Sequence, residues 1–223
     1  MLYILFTIFV VATLLIKFCP IITEWDKIII SSVQEVFQSV PFMVAMLADS
    51  SVYVVMIVLP ISFLYFYLYS EKLADKILAI RVLAETVSLI SVPLLCYLLN
   101  LVIKNIVQRP RPPYEFQPLI HPSSYSFVSS HSLITFSLYG IVIFLLLKYC
   151  KNVALKSILI FLSVLWVVIV GWSRVYLGVH YPSDVICAYL LGVIILLLYI
   201  NLFNNIEKRF KKHYAKCSCN TEL

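Results

Sequence analysis

Apolar residues run almost unbroken through 1–19, 51–69, 80–103, 131–149, 157–172 and 184–203. The hydrocarbon core of a bilayer takes about 20 helical residues to cross, so runs of this kind predict six transmembrane helices. The stretch 20–40 has a different pattern. Ile21, Ile22, Trp25, Ile28, Ile29, Val33, Val36, Phe37 and Val40 are interleaved with Glu24, Asp26, Lys27, Gln34, Glu35 and Gln38. That one-sided helical period predicts an amphipathic helix lying in the membrane interface, with Trp25 at headgroup level. An extramembrane helix packed on the bundle fits the same period. The expected fold class is all-α: a six-span transmembrane helical bundle with an interfacial amphipathic helix after the first span. The first run has neither a basic start nor a small-residue cleavage site, so it reads as a retained span.

Composition narrows the class. The chain is 62% hydrophobic and 13% charged, whereas soluble domains run near a quarter charged, so a soluble domain is excluded. Four glycines, no linker-like stretch and no internal repeat leave one membrane domain over 1–206, followed by a basic tail over 207–223. Eleven of the seventeen Lys and Arg residues fall in 70–81, 148–156 and the tail. Positive residues near span ends favour the cytoplasm, which puts both termini there and the remaining loops outside, at the periplasmic face of a bacterial inner membrane. Cys96, Cys150 and Cys187 read as small apolar fillers. Cys217 and Cys219 in the tail are expected to be reduced thiols and, being only two, fall short of a metal site.

Candidate chemistry concentrates where the apolar pattern breaks. Arg174, His180 and Asp184 lie within eleven residues between two spans, and ionisable groups at a bilayer lip mark functional sites. A carboxylate four residues after a histidine can hold it in one tautomer, leaving the other ring nitrogen free as nucleophile or base. Two earlier stretches add Lys104, Arg109 and Arg111, then Ser129, Ser130 and His131.

Read together, these give K-x6-R-P from Lys104 to Pro112, V-S-S-H from Val128 to His131, and S-R-x5-H-x3-D from Ser173 to Asp184. The chain thereby resembles the type 2 phosphatidic acid phosphatase superfamily, whose middle motif is P-S-G-H; Val128 and Ser130 replace its Pro and Gly. Taken singly, such residues are snorkelling anchors or bundle hydrogen bonds. Eight of them in order at family spacing are not explained that way. The resemblance implies that His180 is the nucleophile forming a phosphohistidine and that Asp184 orients it. It also implies that His131 protonates the leaving oxygen and later activates water. Lys104, Arg111 and Arg174 would cradle the phosphate, with Ser129 and the Ser130 amide as further donors. The motif register selects Arg111, which leaves Arg109 as a rim contact, and His121 falls outside any motif. The reaction needs no metal and no other cofactor.

The expected activity is therefore that of a metal-independent lipid phosphatase, a phosphoric monoester hydrolase acting on a phosphorylated membrane lipid within the bilayer. No nucleic-acid partner is expected, and the sequence does not give the oligomeric state. Family relatives act on lipid A, undecaprenyl diphosphate and phosphatidylglycerophosphate. The short loop over 113–127 leaves no room for a lid, which resembles the lipid A phosphatases and favours the 4′ (or 1) phosphate of that component of lipopolysaccharide. Undecaprenyl diphosphate or phosphatidylglycerophosphate is the alternative. A non-catalytic binder of anionic headgroups is the reading from another class.

Overall fold

The computed structural model describes residues 1–40, 76–116 and 122–219, with side chains described for 1–40, 87–116 and 122–209. The elements in order are α1 (Leu2–Phe18), α2 (Pro20–Val36), α3 (Lys76–Val107), a 3-10 turn (Tyr114–Phe116), α4 (Ser130–Tyr149), α5 (Val153–Tyr176) and α6 (Pro182–Cys219). No strand occurs among the described residues. Four helical stretches are long and apolar enough to cross a membrane: Val87–Val107, Ser130–Tyr149, Val153–Tyr176 and Pro182–Arg209. The expected span over 51–69 and His121 lie outside the described residues.

α1 and α2 meet at an 88° bend, and the sequence accounts for it. Cys19 is extended and Pro20 takes the first helical position. Proline has no N–H to give to the preceding turn, so α1 stops there while its fixed φ starts a new helix. The pair counts as a fifth span only if the bent pair crosses as one unit.

The helices overrun their apolar runs. α5 begins at Val153 and ends at Tyr176, and α6 continues as one helix through the basic tail to Cys219. Backbone hydrogen bonding does not stop where hydropathy does, so apolar length sets a span and not a helix. α3 carries Pro93 in its interior without a break; spanning helices tolerate proline where neighbouring elements re-satisfy the freed carbonyl.

α4 is the hub, packed against α3, α5 and α6, while α1 lies along α6 and α2 against α5 and α6. Leu133, Leu138 and Ile141 of α4 are fully buried with Leu89 and Cys96 of α3 and Ala188 of α6. α5 exposes Ile158, Phe161, Leu162, Val164 and Val168, which suits a surface solvated by acyl chains. Because adjacent spans alternate in direction, the C-terminal ends of α3 and α5 and the N-terminal ends of α4 and α6 come together. All three motifs lie at that end.

Candidate active site

Backbone chemistry fixes the approach of each segment to this end. α3 finishes on a left-handed Gln108 (φ 55°), whose N–H donates to Lys104 O at 2.9 Å. That turns the chain sharply into Arg109-Pro110-Arg111. α5 finishes the same way, with Gly178 at φ 64°. A Cβ on Gly178 would stand 1.8 Å from Phe116 O, so only glycine permits both the left-handed backbone and the contact with the 3-10 turn. The loop then folds back as Val179 N and His180 N both donate to Arg174 O. The start of α4 is tied to the start of α6 by Ser129 N donating to Asp184 O at 3.4 Å. Asn100 of α3 holds the same loop, donating to Val128 O at 2.8 Å.

His180 lies at the centre, 3% exposed. Its Nδ1 faces Asp184 Oδ2 at 3.5 Å and Ser126 Oγ at 3.4 Å. Its Nε2 faces Arg111 Nη1 at 3.3 Å. Burial pushes the imidazole down to about 3; the Asp184 carboxylate pulls the other way, and Arg111 and Lys104 add to the lowering. The ring is therefore neutral at physiological pH, with a lone pair available on one nitrogen. Asp184 is fully buried and fully partnered. Its Oδ2 accepts from the Ser126 hydroxyl and from Tyr181 N at 3.1 Å, and its Oδ1 from Arg109 Nη1 at 2.6 Å.

On the Nε2 side of the imidazole, Arg111 is held by Ser124 O at 2.7 Å, Ser124 Oγ at 3.0 Å and Val179 O at 2.6 Å. Burial pushes it down to about 10, so it keeps its charge at neutral pH; Asp184 raises it and Arg174 lowers it further. Lys104 is 6% exposed and donates to Tyr125 O at 2.7 Å. Arg174, 3% exposed, bonds Ser173 Oγ through Nε and Nη2, each at 3.2 Å. Ser173 Oγ donates in turn to Val170 O at 2.7 Å. The Ser129 hydroxyl pairs with Ser132 Oγ at 2.9 Å, while Ser130 and His131 open α4, half-buried. All eight motif residues expected from the sequence thus occupy one end of the bundle.

The reading of Arg109 as a rim contact is corrected. Arg109 is 5% exposed and bridges two carboxylates, Asp184 Oδ1 at 2.6 Å and Asp26 Oδ2 at 2.8 Å. Its guanidinium lies 4.0 Å over the Tyr181 ring. Burial works against its charge, but Asp184 and Asp26 outweigh that and raise its pKa above the ordinary arginine value. A buried cation demands such partners, and a motif register says nothing about burial. Asp26 was also missed. Within α2 it shares an i, i+4 stripe with Ile30, and both are buried while Ile21, Trp25, Ile28 and Ile29 are exposed. The helix thus turns three isoleucines and Trp25 outward while one carboxylate, Asp26, faces inward beside Ile30. A cavity of about 410 Å³ adjoins this bridge, lined by residues that include Lys17, Thr23, Arg109 and Tyr181 but not His180.

The PAP2 superfamily profile matches residues 85–208, more than half of the chain. The chain belongs to the PAP2 superfamily. Two curated relatives of this PAP2 protein agree. Phosphatidylglycerophosphatase B of Bacillus subtilis is 37% identical over 116 residues, covering 52% of this chain and 56% of the relative. An undecaprenyl-diphosphatase of Sulfolobus acidocaldarius is 38% identical over 81 residues, covering 36% of this chain and 34% of the relative. The matched region spans little more than half of the first relative's length and about a third of the second's. The PAP2 fold itself extends further. A crystal structure described as the first transmembrane PAP2 type phosphatidylglycerolphosphate phosphatase from Bacillus subtilis superposes with a TM-score of 0.69 at 26% identity, covering 92% of this chain and 96% of that one. Neither curated relative is a lipid A phosphatase, so the lean toward lipid A finds no support in them.

Proposed function

We propose that this protein is a metal-independent phosphatase that removes the terminal phosphate of a glycerophospholipid, with phosphatidylglycerophosphate as substrate. The observation that carries the reading is the environment of His180. Its Nδ1 faces a buried carboxylate and its Nε2 faces a guanidinium 3.3 Å away, where a phosphoryl oxygen would be held. Neutral and oriented, the imidazole has its Nε2 lone pair available to form a bond to phosphorus as the phosphorus–oxygen bond of the ester breaks. His131 gives its proton to the departing lipid oxygen, then takes one from water as that water displaces the phosphoryl group from Nε2 as inorganic phosphate. Lys104, Arg111 and Arg174 balance the charge spread over the phosphoryl oxygens in both steps. Ser129 and the amide of Ser130 supply neutral donors. Ser130 keeps the N–H that the family glycine would offer, so the departure at Val128 and Ser130 leaves the chemistry in place.

Substrate choice follows the relatives. The match in sequence and in fold to phosphatidylglycerophosphate phosphatase of Bacillus subtilis favours that lipid over lipid A, and the archaeal relative favours undecaprenyl diphosphate as the second reading. The placement of positive charge supports a site at the outer face and cytoplasmic termini. The test is phosphate release by purified protein from phosphatidylglycerophosphate, undecaprenyl diphosphate and lipid A in mixed micelles, beside His180→Ala. Turnover of the first lipid should be fastest and should fall on the order of a thousandfold or more in the variant. Equal turnover in His180→Ala removes the mechanism, and preference for the diphosphate replaces the substrate.

A further inference from the structure

α2 carries a buried carboxylate that the family motifs do not include. Asp26 is 3% exposed. Its Oδ1 accepts from Ser183 N at 3.0 Å, and its Oδ2 accepts from the Ser183 hydroxyl and from Arg109 Nη2 at 2.8 Å. Arg109 Nη1 then reaches Ser183 Oγ at 2.8 Å and Asp184 Oδ1 at 2.6 Å. Two atoms of one guanidinium thus join α2 to the first turn of α6, and Ser183 closes the ring. The connected groups are Asp26, Arg109, Ser183 and Asp184, and Asp184 contacts His180.

The charges have a consequence. Arg109 alone would cancel Asp184, leaving the imidazole beside a neutral pair. With Asp26 the three buried groups carry one net negative charge, two carboxylates against one guanidinium. When Nε2 bonds to phosphorus the ring becomes cationic, its Nδ1 proton still in place, and an uncancelled carboxylate nearby favours that state over the neutral ring. In a dry site such a difference acts mostly on the reacting state, since substrate and neutral ring meet before the ring charge forms.

We propose that Asp26 is a positioning residue for the reaction, offsetting the charge of Arg109 so that Asp184 orients His180 and supports the positive charge it acquires on phosphorylation. The inference rests on the phosphatase reading above, with His180 as nucleophile. It makes α2 part of the reaction machinery at one remove, with no contact to substrate required.

The experiment is steady-state turnover of phosphatidylglycerophosphate in mixed micelles by full-length wild type, Asp26→Asn, Arg109→Gln, the double variant and His180→Ala, each checked for monodispersity and melting midpoint. Asp26→Asn keeps the shape and removes the charge. Its kcat should fall roughly tenfold to a hundredfold, the scale of losing a charged partner in a buried network, with KM within about twofold. The double variant restores one net negative charge and should turn over faster than Asp26→Asn, a gain that loss of packing would not produce. Wild-type kcat in Asp26→Asn, a KM that rises in step with the fall, or a double variant no faster than the single one overturns the proposal. Where Asp26→Asn does not fold, the double variant, with the wild-type net charge, decides: kcat within about tenfold of wild type supports the proposal, and a slower folded protein overturns it. An inactive wild type, or His180→Ala as fast as wild type, removes the phosphatase reading and this inference with it. Turnover that depends on His180 and is untouched by Asp26→Asn removes the inference alone.

Discussion

Arg109 and Arg111 are two residues apart and occupy opposite electrostatic situations. Arg109 lies between Asp26 and Asp184, its charge outnumbered by carboxylates at 2.8 and 2.6 Å. Arg111 and Lys104 are held by carbonyls and hydroxyls of Ser124, Tyr125 and Val179, and neither forms an ion pair among the described residues. A buried cation with two carboxylate partners has its charge already offset and attracts a further anion weakly. One held only by neutral acceptors keeps its charge available, at a cost in folding energy that an incoming phosphate would offset. The two sides of His180 therefore have different tasks. The Nδ1 side is a closed network with one carboxylate in excess that fixes geometry, and the Nε2 side is a cluster of cations suited to a dianion.

The sharpest way to break this contrast is to remove each arginine in turn. Arg109→Met leaves two carboxylates buried without their cation, and the expected loss is about 3–5 kcal/mol of folding free energy. The measurement is the unfolding midpoint in detergent, and a midpoint equal to wild type would mean that the bridge is not structural. Arg111→Met should do the reverse. It removes a half-buried cation that has no carboxylate partner among the described residues, so the melting midpoint should hold or rise, while kcat falls roughly a hundredfold to a thousandfold, the usual effect of losing one donor to a developing oxyanion. Arg111→Lys should recover little, because a point charge does not replace a planar fork.

The smallest expected effect is on pH dependence, and it sharpens the same comparison. Burial, with help from the unbalanced cations, holds native His180 down to about 3 against an ordinary value of 6.5. Above the ordinary value neither the native nor the unfolded state binds the proton, so the group adds no pH dependence. Between 6.5 and about 3 the unfolded chain takes up a proton that native His180 refuses, and stability falls as pH falls through that window. The drop in unfolding midpoint from pH 7 to pH 5 should be smaller in His180→Gln than in wild type. It should shrink also in Arg111→Met, where one cause of the lowering is gone. An identical drop in all three proteins would show that His180 does not contribute to it.

Much of this protein could be read from its residues in order. Long apolar runs separated by charged breaks predicted spanning helices; α3, α4, α5 and α6 are long and apolar enough to be four of them, with ends that run past the apolar limits, while α1 is a shorter helix bent against α2. The three motifs named the family because spacing, not burial, defines them, and the fold gathered Lys104, Arg111, Ser129, Ser130, His131, Arg174, His180 and Asp184 at one end of the bundle. Asp26 was legible only as a polar residue on an amphipathic helix, because an outward carboxylate and an inward one have the same local pattern. Ser126, which bonds Asp184 and faces His180, has no signal at all: it is a serine in a loop between motifs.

Hydropathy along the chain determined that the protein lives in a membrane, and residue spacing determined which family its motifs match, since both are properties of chemical type and order. Only the tertiary structure decided which arginine is paired with carboxylates and which is held by neutral acceptors. That choice depends on which groups are desolvated together, and Asp26 of α2, 83 residues before Arg109, supplies the deciding charge across a distance that no local pattern encodes.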